Sequence, residues 1–188
     1  MPKSVEKLIE AAQECFFQHG YNAANVSLIG RYAGISRATI YKNFSSKDAL
    51  FRAVIQSHID ANQELLKNYA ASNDDFWEDT EHLIKQRCSG IFDDISSNMI
   101  RSELIHTGQT QCHDLIQRET HHVQGIIKER LQKEITLKRI SIESVGISVE
   151  QFAQVIESVP IGIAFSSMED NNYELIISMF CVFKASTR

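Results

Sequence analysis

The chain has 188 residues, 43% of them hydrophobic and 23% charged, the composition of a folded globular protein and not of a disordered or collagenous one. A net charge of -5 excludes a uniformly basic nucleic-acid binder, and Cys15, Cys88, Cys112 and Cys181 have neither zinc-finger spacing nor the density of a disulfide scaffold. With only two prolines and eight glycines there are few helix breakers, so the chain is expected to be all-α.

The first helix is expected over 4–19, where Val5, Leu8, Ile9, Ala12 and Phe16 recur on one face. His19 and Gly20 mark its end. Two short helices follow: one over 26–33, capped by Asn25 and stopped by Gly34, and one from Ser36 to about Phe44. Ser45 or Ser46 then opens a long helix expected to reach Tyr69, with Ser45 and Asp48 at capping-box spacing. Residues 71–75 are small and polar and read as a connection. Helices are expected near 75–93, 98–106, 110–136, 148–167 and 172–185, with a loop over 140–146.

The pair of short helices has the make-up of a helix-turn-helix. Gly30 is small where the two helices would cross, Gly34 tolerates positive φ in the turn, and Ile29, Ile35 and Ile40 are apolar around it. Arg37, Ala38, Thr39 and Lys42 fall on the outer side of the second helix, where short and basic side chains let a backbone approach base edges in a major groove. Charge agrees with this. Residues 1–55 hold seven Lys/Arg and four acids, a balance of +3, and the remainder carries -8. By pattern alone, a helical hairpin inside an ordinary bundle stays open as the other reading.

Residues 8–55, with HGY, AGIS-RATIYKNF and SKDAL in order, resemble the N-terminal domain of the TetR/AcrR family of bacterial transcriptional regulators. The resemblance covers about a quarter of the chain. It implies a three-helix DNA-binding domain at 1–50, joined by a long helix to a helical effector-binding and dimerisation domain at 51–188. It implies a homodimer on a palindromic double-stranded DNA operator, most often a repressor released by a small-molecule effector. A DNA-bound interaction protein without an effector, such as a division or nucleoid factor, is the alternative on the same fold. Ser27, Ser36, Arg37, Ala38, Thr39, Tyr41, Lys42 and Lys47 are the positions the resemblance sets against DNA: Arg37 and Thr39 toward base edges or nearby phosphate, Tyr41, Lys42 and Lys47 toward the phosphate backbone. Gly30 departs from the usual Ala, Leu28 from a common acid and Asn43 from a common His or Tyr.

In the last two helices, Phe152, Ile156, Val159 and Ile163 share one face, and the terminal helix is apolar on two sides, through Ile176 and Phe180 and through Leu175, Val182 and Phe183. A partner subunit is expected to cover one of these sides, which makes Phe152, Ile156, Val159, Ile163, Ile176, Phe180 and Phe183 the expected dimer residues. Phe76, Trp77, Phe92, Met99, His106 and Met168 are the candidates for an effector pocket, which would suit an apolar or aromatic molecule. Cys112, His113 and His121 lack tight ligand spacing, so no metal and no cofactor are expected. With no nucleophile elbow, phosphate loop or HExxH, no enzyme is expected. The charged, amphipathic start is no signal peptide, and the apolar run at 175–183 is too short to span a bilayer, so a cytoplasmic, non-membrane protein is expected.

Overall fold

The computed structural model describes residues 3–166 and 172–187. Among the described residues the chain is helical: α1 (Lys3–Ala23), α2 (Val26–Ala33), α3 (Arg37–Asn43), α4 (Lys47–Ala61), α5 (Gln63–Ala71), α6 (Phe76–Asp93), α7 (Asn98–Gln111), α8 (His113–Thr136), α9 (Val149–Ser166) and α10 (Asn172–Ser186), with one 3-10 turn at Glu143–Val145. None of these helices is long and apolar enough to cross a membrane. The chain divides into two compact units. The first holds the chain up to Ala61 together with Asp93–Gln117, and the second holds Asn62–Phe92 and the chain from Arg118 onward.

In the first unit α1 packs against α2, α4 and α7. Leu8, Ile9, Ala12 and Phe16 are buried as their spacing predicts, and Ile29, Ile40, Leu50, Phe51 and Val54 complete the core. Phe16 and Tyr21 both meet the Phe51 ring edge-on, at 5.1 and 5.0 Å between centroids. Two features at the helix ends differ from the sequence reading, and one open alternative is decided. The helix does not end at Gly20; it breaks there, at φ 77° and ψ 170°, and continues to Ala23. Of the two serines expected to cap α4, Ser46 does so, its hydroxyl accepting from the Ala49 N–H at 3.0 Å. The long helix expected to reach Tyr69 is interrupted at Asn62, where α4 ends and α5 begins, with Asn62 at φ -83° and ψ -7°.

In the second unit Trp77 lies among Phe76, Phe152, Phe180 and Phe183, with ring centroids 4.9 to 6.3 Å away. Val123, Ile127 and Leu131 of α8 are fully buried. Arg130, 4% exposed, spans the α5–α6 connection. It donates to the carbonyls of Tyr69 at 3.0 Å and Asp74 at 3.2 Å and to Asp79 Oδ2 at 2.7 Å, with its guanidinium 4.6 Å from the Tyr69 ring centre. Each end of this buried cation is therefore satisfied, which is the condition for burying it at all.

Candidate nucleic-acid interface

The helix-turn-helix is built from local hydrogen bonds. The Asn25 side chain accepts from the Leu28 N–H at 3.0 Å, satisfying a free donor of α2's first turn. Gly34, at φ 65° and ψ 28°, ends α2 in the left-handed conformation. Its N–H donates to the Arg31 carbonyl and the Ile35 N–H to the Gly30 carbonyl, at 3.3 and 3.0 Å, which is a Schellman ending. The crossing is tight: a Cβ added at Gly30 would stand 2.8 Å from the Ile35 carbonyl oxygen. Ser36 then caps α3 by accepting from the Thr39 N–H at 3.2 Å, and its hydroxyl lies 3.0 Å from that of Thr39.

Ile40 is the one buried residue of α3. With that side anchored, Arg37, Ala38, Thr39, Tyr41 and Lys42 are all exposed, as are Ser36 and, at the start of α2, Ser27. Tyr41 keeps 46% of its surface open although it is large and aromatic, so its ring is not core. Lys47 is half-buried and engaged: its ammonium donates to the Tyr21 carbonyl at 2.8 Å and lies 4.0 Å from the Tyr21 ring centre. The Tyr21 hydroxyl donates to Asp48, and burial, helped by that hydrogen bond, pushes its phenol up to about 12. His19 Nε2 is 2.8 Å from the Tyr32 hydroxyl, tying the end of α1 to α2.

The expected effector residues are not brought together as one set. Phe76, Trp77 and Phe92 are buried in the second unit, with Phe92 against Tyr173. Met99, 82% exposed, and His106, also exposed, stand on α7 in the first unit; Met168 lies outside the described residues. Phe76 and Trp77 do border a cavity of about 220 Å³, but with Asp75, Glu134, Arg139 and Lys184. Glu134 and Lys184 come from two helices, α8 and α10, and Asp75 and Arg139 from two connections, and nothing in their local spacing marks them. A second charged group, Arg87, lies 3.7 Å from both Glu119 and Glu157, and Arg87 Nε and Glu119 Oε1 have no hydrogen-bond partner. Burial raises the Glu157 carboxyl above its ordinary range, against the pull of Arg87. Burial also pushes the Cys15 and Cys88 thiols up to about 11, the reverse of an activated thiolate. Among the described residues no three His, Cys, Asp or Glu side chains gather as metal ligands.

Of the expected dimer residues, Phe152, Ile156, Ile176 and Phe180 are at most 3% exposed within a single chain; they form the core between α9, α10 and Trp77. Phe183 packs partly with them, 5.2 Å from Phe152, and Val159 and Ile163 are half-buried. The apolar residues left exposed on these helices are Val155 on α9 and Leu175, Ile177 and Val182 on α10, with Leu175 and Val182 two turns apart on one side. Both stripes of α10 are visible in the sequence, but which one turns inward depends on where Trp77 sits.

Residues 8–54 match the family of bacterial regulatory proteins, tetR family. The N-terminal segment is of the TetR type. Its likeness to curated relatives is strongest there: 44% identity over 54 residues with the HTH-type transcriptional activator FasR of Mycolicibacterium smegmatis, covering 29% of this chain and 25% of that protein. The Bacillus subtilis HTH-type transcriptional regulator YvdT is 32% identical over 90 residues, 46% of each chain. The chain thus spans a quarter to just under half of the length of these relatives. Its fold as a whole is TetR-like: a TetR transcription regulator from Haloarcula marismortui superposes with a TM-score of 0.79 over 100% of both chains at 13% identity. Reduced NemR of E. coli does so with 0.78 over 98% and 97% at 15%.

Proposed function

We propose that this protein is a dimeric, sequence-specific DNA-binding regulator of transcription, a repressor released from a palindromic operator by a small-molecule effector in the cytoplasm, and not an enzyme. The observation that carries the reading is α3: a short helix held by Gly34, Ser36 and the buried Ile40, with Arg37, Ala38, Thr39, Tyr41 and Lys42 all turned to solvent. Arg37 would reach a base edge through its forked donors, Tyr41, Lys42 and Lys47 would meet phosphate, and Ser27 would do so from the start of α2. The DNA-binding domain would be residues 1–50, which lie within the first unit. The exposed faces of α9 and α10, with Val155, Leu175 and Val182, support a two-fold interface. The cavity beside Phe76 and Trp77 supports an effector with an aromatic body and a charged or polar substituent, deepening the apolar expectation. An effector that binds the DNA-incompetent conformer more tightly would lower operator affinity by the same linkage.

The test is a comparison of Arg37→Ala and Tyr41→Phe on selected and random duplexes at fixed salt. Arg37→Ala is expected to relax preference at particular base pairs, and Tyr41→Phe to weaken binding on every sequence. Equal loss on both kinds of DNA for Arg37→Ala would remove base readout from the proposal. Leu175→Glu with Val182→Glu is expected to halve the mass measured by light scattering, and an unchanged mass would reject the interface.

A further inference from the structure

We infer that Glu103 is a positioning residue through which α7 sets Lys47 for its phosphate contact, by way of a single peptide group. The inference rests on the DNA-binding reading above. Glu103 and Lys47 both belong to the first unit and meet the same amide, the one joining Tyr21 to Asn22. Glu103 Oε1 accepts from the Asn22 N–H at 2.7 Å, and the Tyr21 carbonyl on the other side of that amide accepts from the Lys47 ammonium at 2.8 Å. The result is a carboxylate, a peptide and an ammonium in series.

The series is specific to this backbone. Gly20, just before it, takes φ 77° and ψ 170°, a region essentially closed to other residues. A Cβ at Gly20 would stand 2.5 Å from Glu103 Oε2. The break in α1 therefore turns the Tyr21–Asn22 amide sideways and leaves room for the carboxylate beside it. Both hydrogen bonds are charge-assisted. A carboxylate on the N–H polarises the amide and makes its carbonyl a stronger acceptor for the ammonium. The Tyr21 ring, 4.0 Å from Lys47 Nζ, adds a second hold on the same cation. An ammonium has three N–H donors and the Tyr21 carbonyl takes one, so a fixed Lys47 can still donate to phosphate, with its side-chain freedom already lost. Helix α7 carries Glu103 and is followed directly by α8, whose chain leaves the first unit after Gln117. A shift of α7 would thus reach Lys47 without touching the recognition helix.

Simple electrostatics predicts the opposite sign, because removing a carboxylate near DNA should tighten binding. The experiment uses the full chain and a fluorescein-labelled random-sequence duplex, titrated between about 50 and 200 mM salt. The proteins are wild type, Glu103→Gln, Lys47→Ala and the double variant. Glu103→Gln is expected to weaken binding about threefold or more when Lys47 is present, and to lower the salt slope by up to about 0.9. With Lys47→Ala already in place, the same change is expected to leave affinity unchanged or to improve it. Equal weakening in both backgrounds, or tighter binding of Glu103→Gln alone, would overturn the inference. The Asn22 amide proton, recorded by NMR without DNA on the same samples, reports that the unit is folded and is expected to move in both single variants; a signal indifferent to Lys47→Ala also overturns it. Wild type that fails to bind the duplex while the Asn22 signal responds to both variants would mean that the DNA-binding reading had failed and taken the inference with it. Binding by wild type with no coupling between the two sites would sink the inference alone.

Discussion

The two units bury charge differently. In the first, Arg52 meets Asp114 at the surface through two hydrogen bonds, one of 2.7 Å, and the buried cation is Arg101, 3% exposed and donating to the Asn98 side-chain oxygen three residues away at 2.8 Å. In the second, Arg130 and Glu157 are taken out of water, and the half-buried Arg87 is shared between two glutamates. The first unit builds its working surface from backbone turns and caps, and its buried Arg101 donates to a residue of its own helix. The second shapes its interior with ions whose partners come from other helices. Surface pairs contribute little each and buried ones much, in either direction, so the units should answer the same kind of mutation with different magnitudes.

The largest effect is expected at Arg130→Ala. It would leave Asp79 and the carbonyls of Tyr69 and Asp74 without their donor, a loss of about 3–5 kcal/mol. Trp77, the only tryptophan, lies in the second unit, so thermal unfolding followed by its fluorescence should register that loss directly. Gly30→Ala comes next. Alanine gains about 1 kcal/mol of helix propensity, but the new Cβ would meet the Ile35 carbonyl at 2.8 Å, and separating α2 from α3 is expected to turn the balance to a net loss of about 1–2 kcal/mol. Circular dichroism should show it while the Trp77 transition stays in place. Asn25→Ala removes the α2 cap and should be smaller still, about 1 kcal/mol.

Acid separates the units by sign. The hydrogen bond from Arg52 holds the Asp114 carboxyl down at about 2. Its contribution to the first unit is therefore present above the ordinary carboxylate value and is lost as pH falls through about 2. The Glu157 carboxyl is raised by burial, so the folded second unit holds that proton more tightly than the unfolded chain does. Stability there declines as pH rises from the ordinary carboxylate value through the raised one. Glu157→Gln is expected to raise the Trp77 transition at pH 7 and to lose that advantage near pH 4. An equal shift at both pH values would place the effect in packing and not in charge.

What was legible in the sequence follows the same division. Asn25, Gly34 and Ser36 act within four residues of themselves, so their caps and turn could be read from spacing, and the outward positions of α3 followed from the buried Ile40. Spacing left Ser45 and Ser46 both open as the cap of α4, because one residue decides where a cap closes, and Asn62 broke a helix whose apolar pattern runs on past it. The second unit was harder. Ile176 and Phe180 have the pattern of an interface, yet the Trp77 cluster draws them inward and leaves Leu175 and Val182 outside. Glu103 carries no local mark at all: its role depends on a glycine-only break in α1 that brings the Asn22 N–H to it. Met99 and His106 share the apolar or aromatic character of Trp77 but stand in the other unit, which no composition reveals.

The most direct measurement of the central claim is selection of bound duplexes from a random DNA pool by the full chain at a stated salt concentration. Enrichment of an inverted repeat with half-sites about 34–36 Å apart or somewhat more, lost at particular positions in Arg37→Ala, is the predicted result. A folded protein that enriches no sequence, or one whose enriched site is indifferent to every exposed residue of α3, would contradict it.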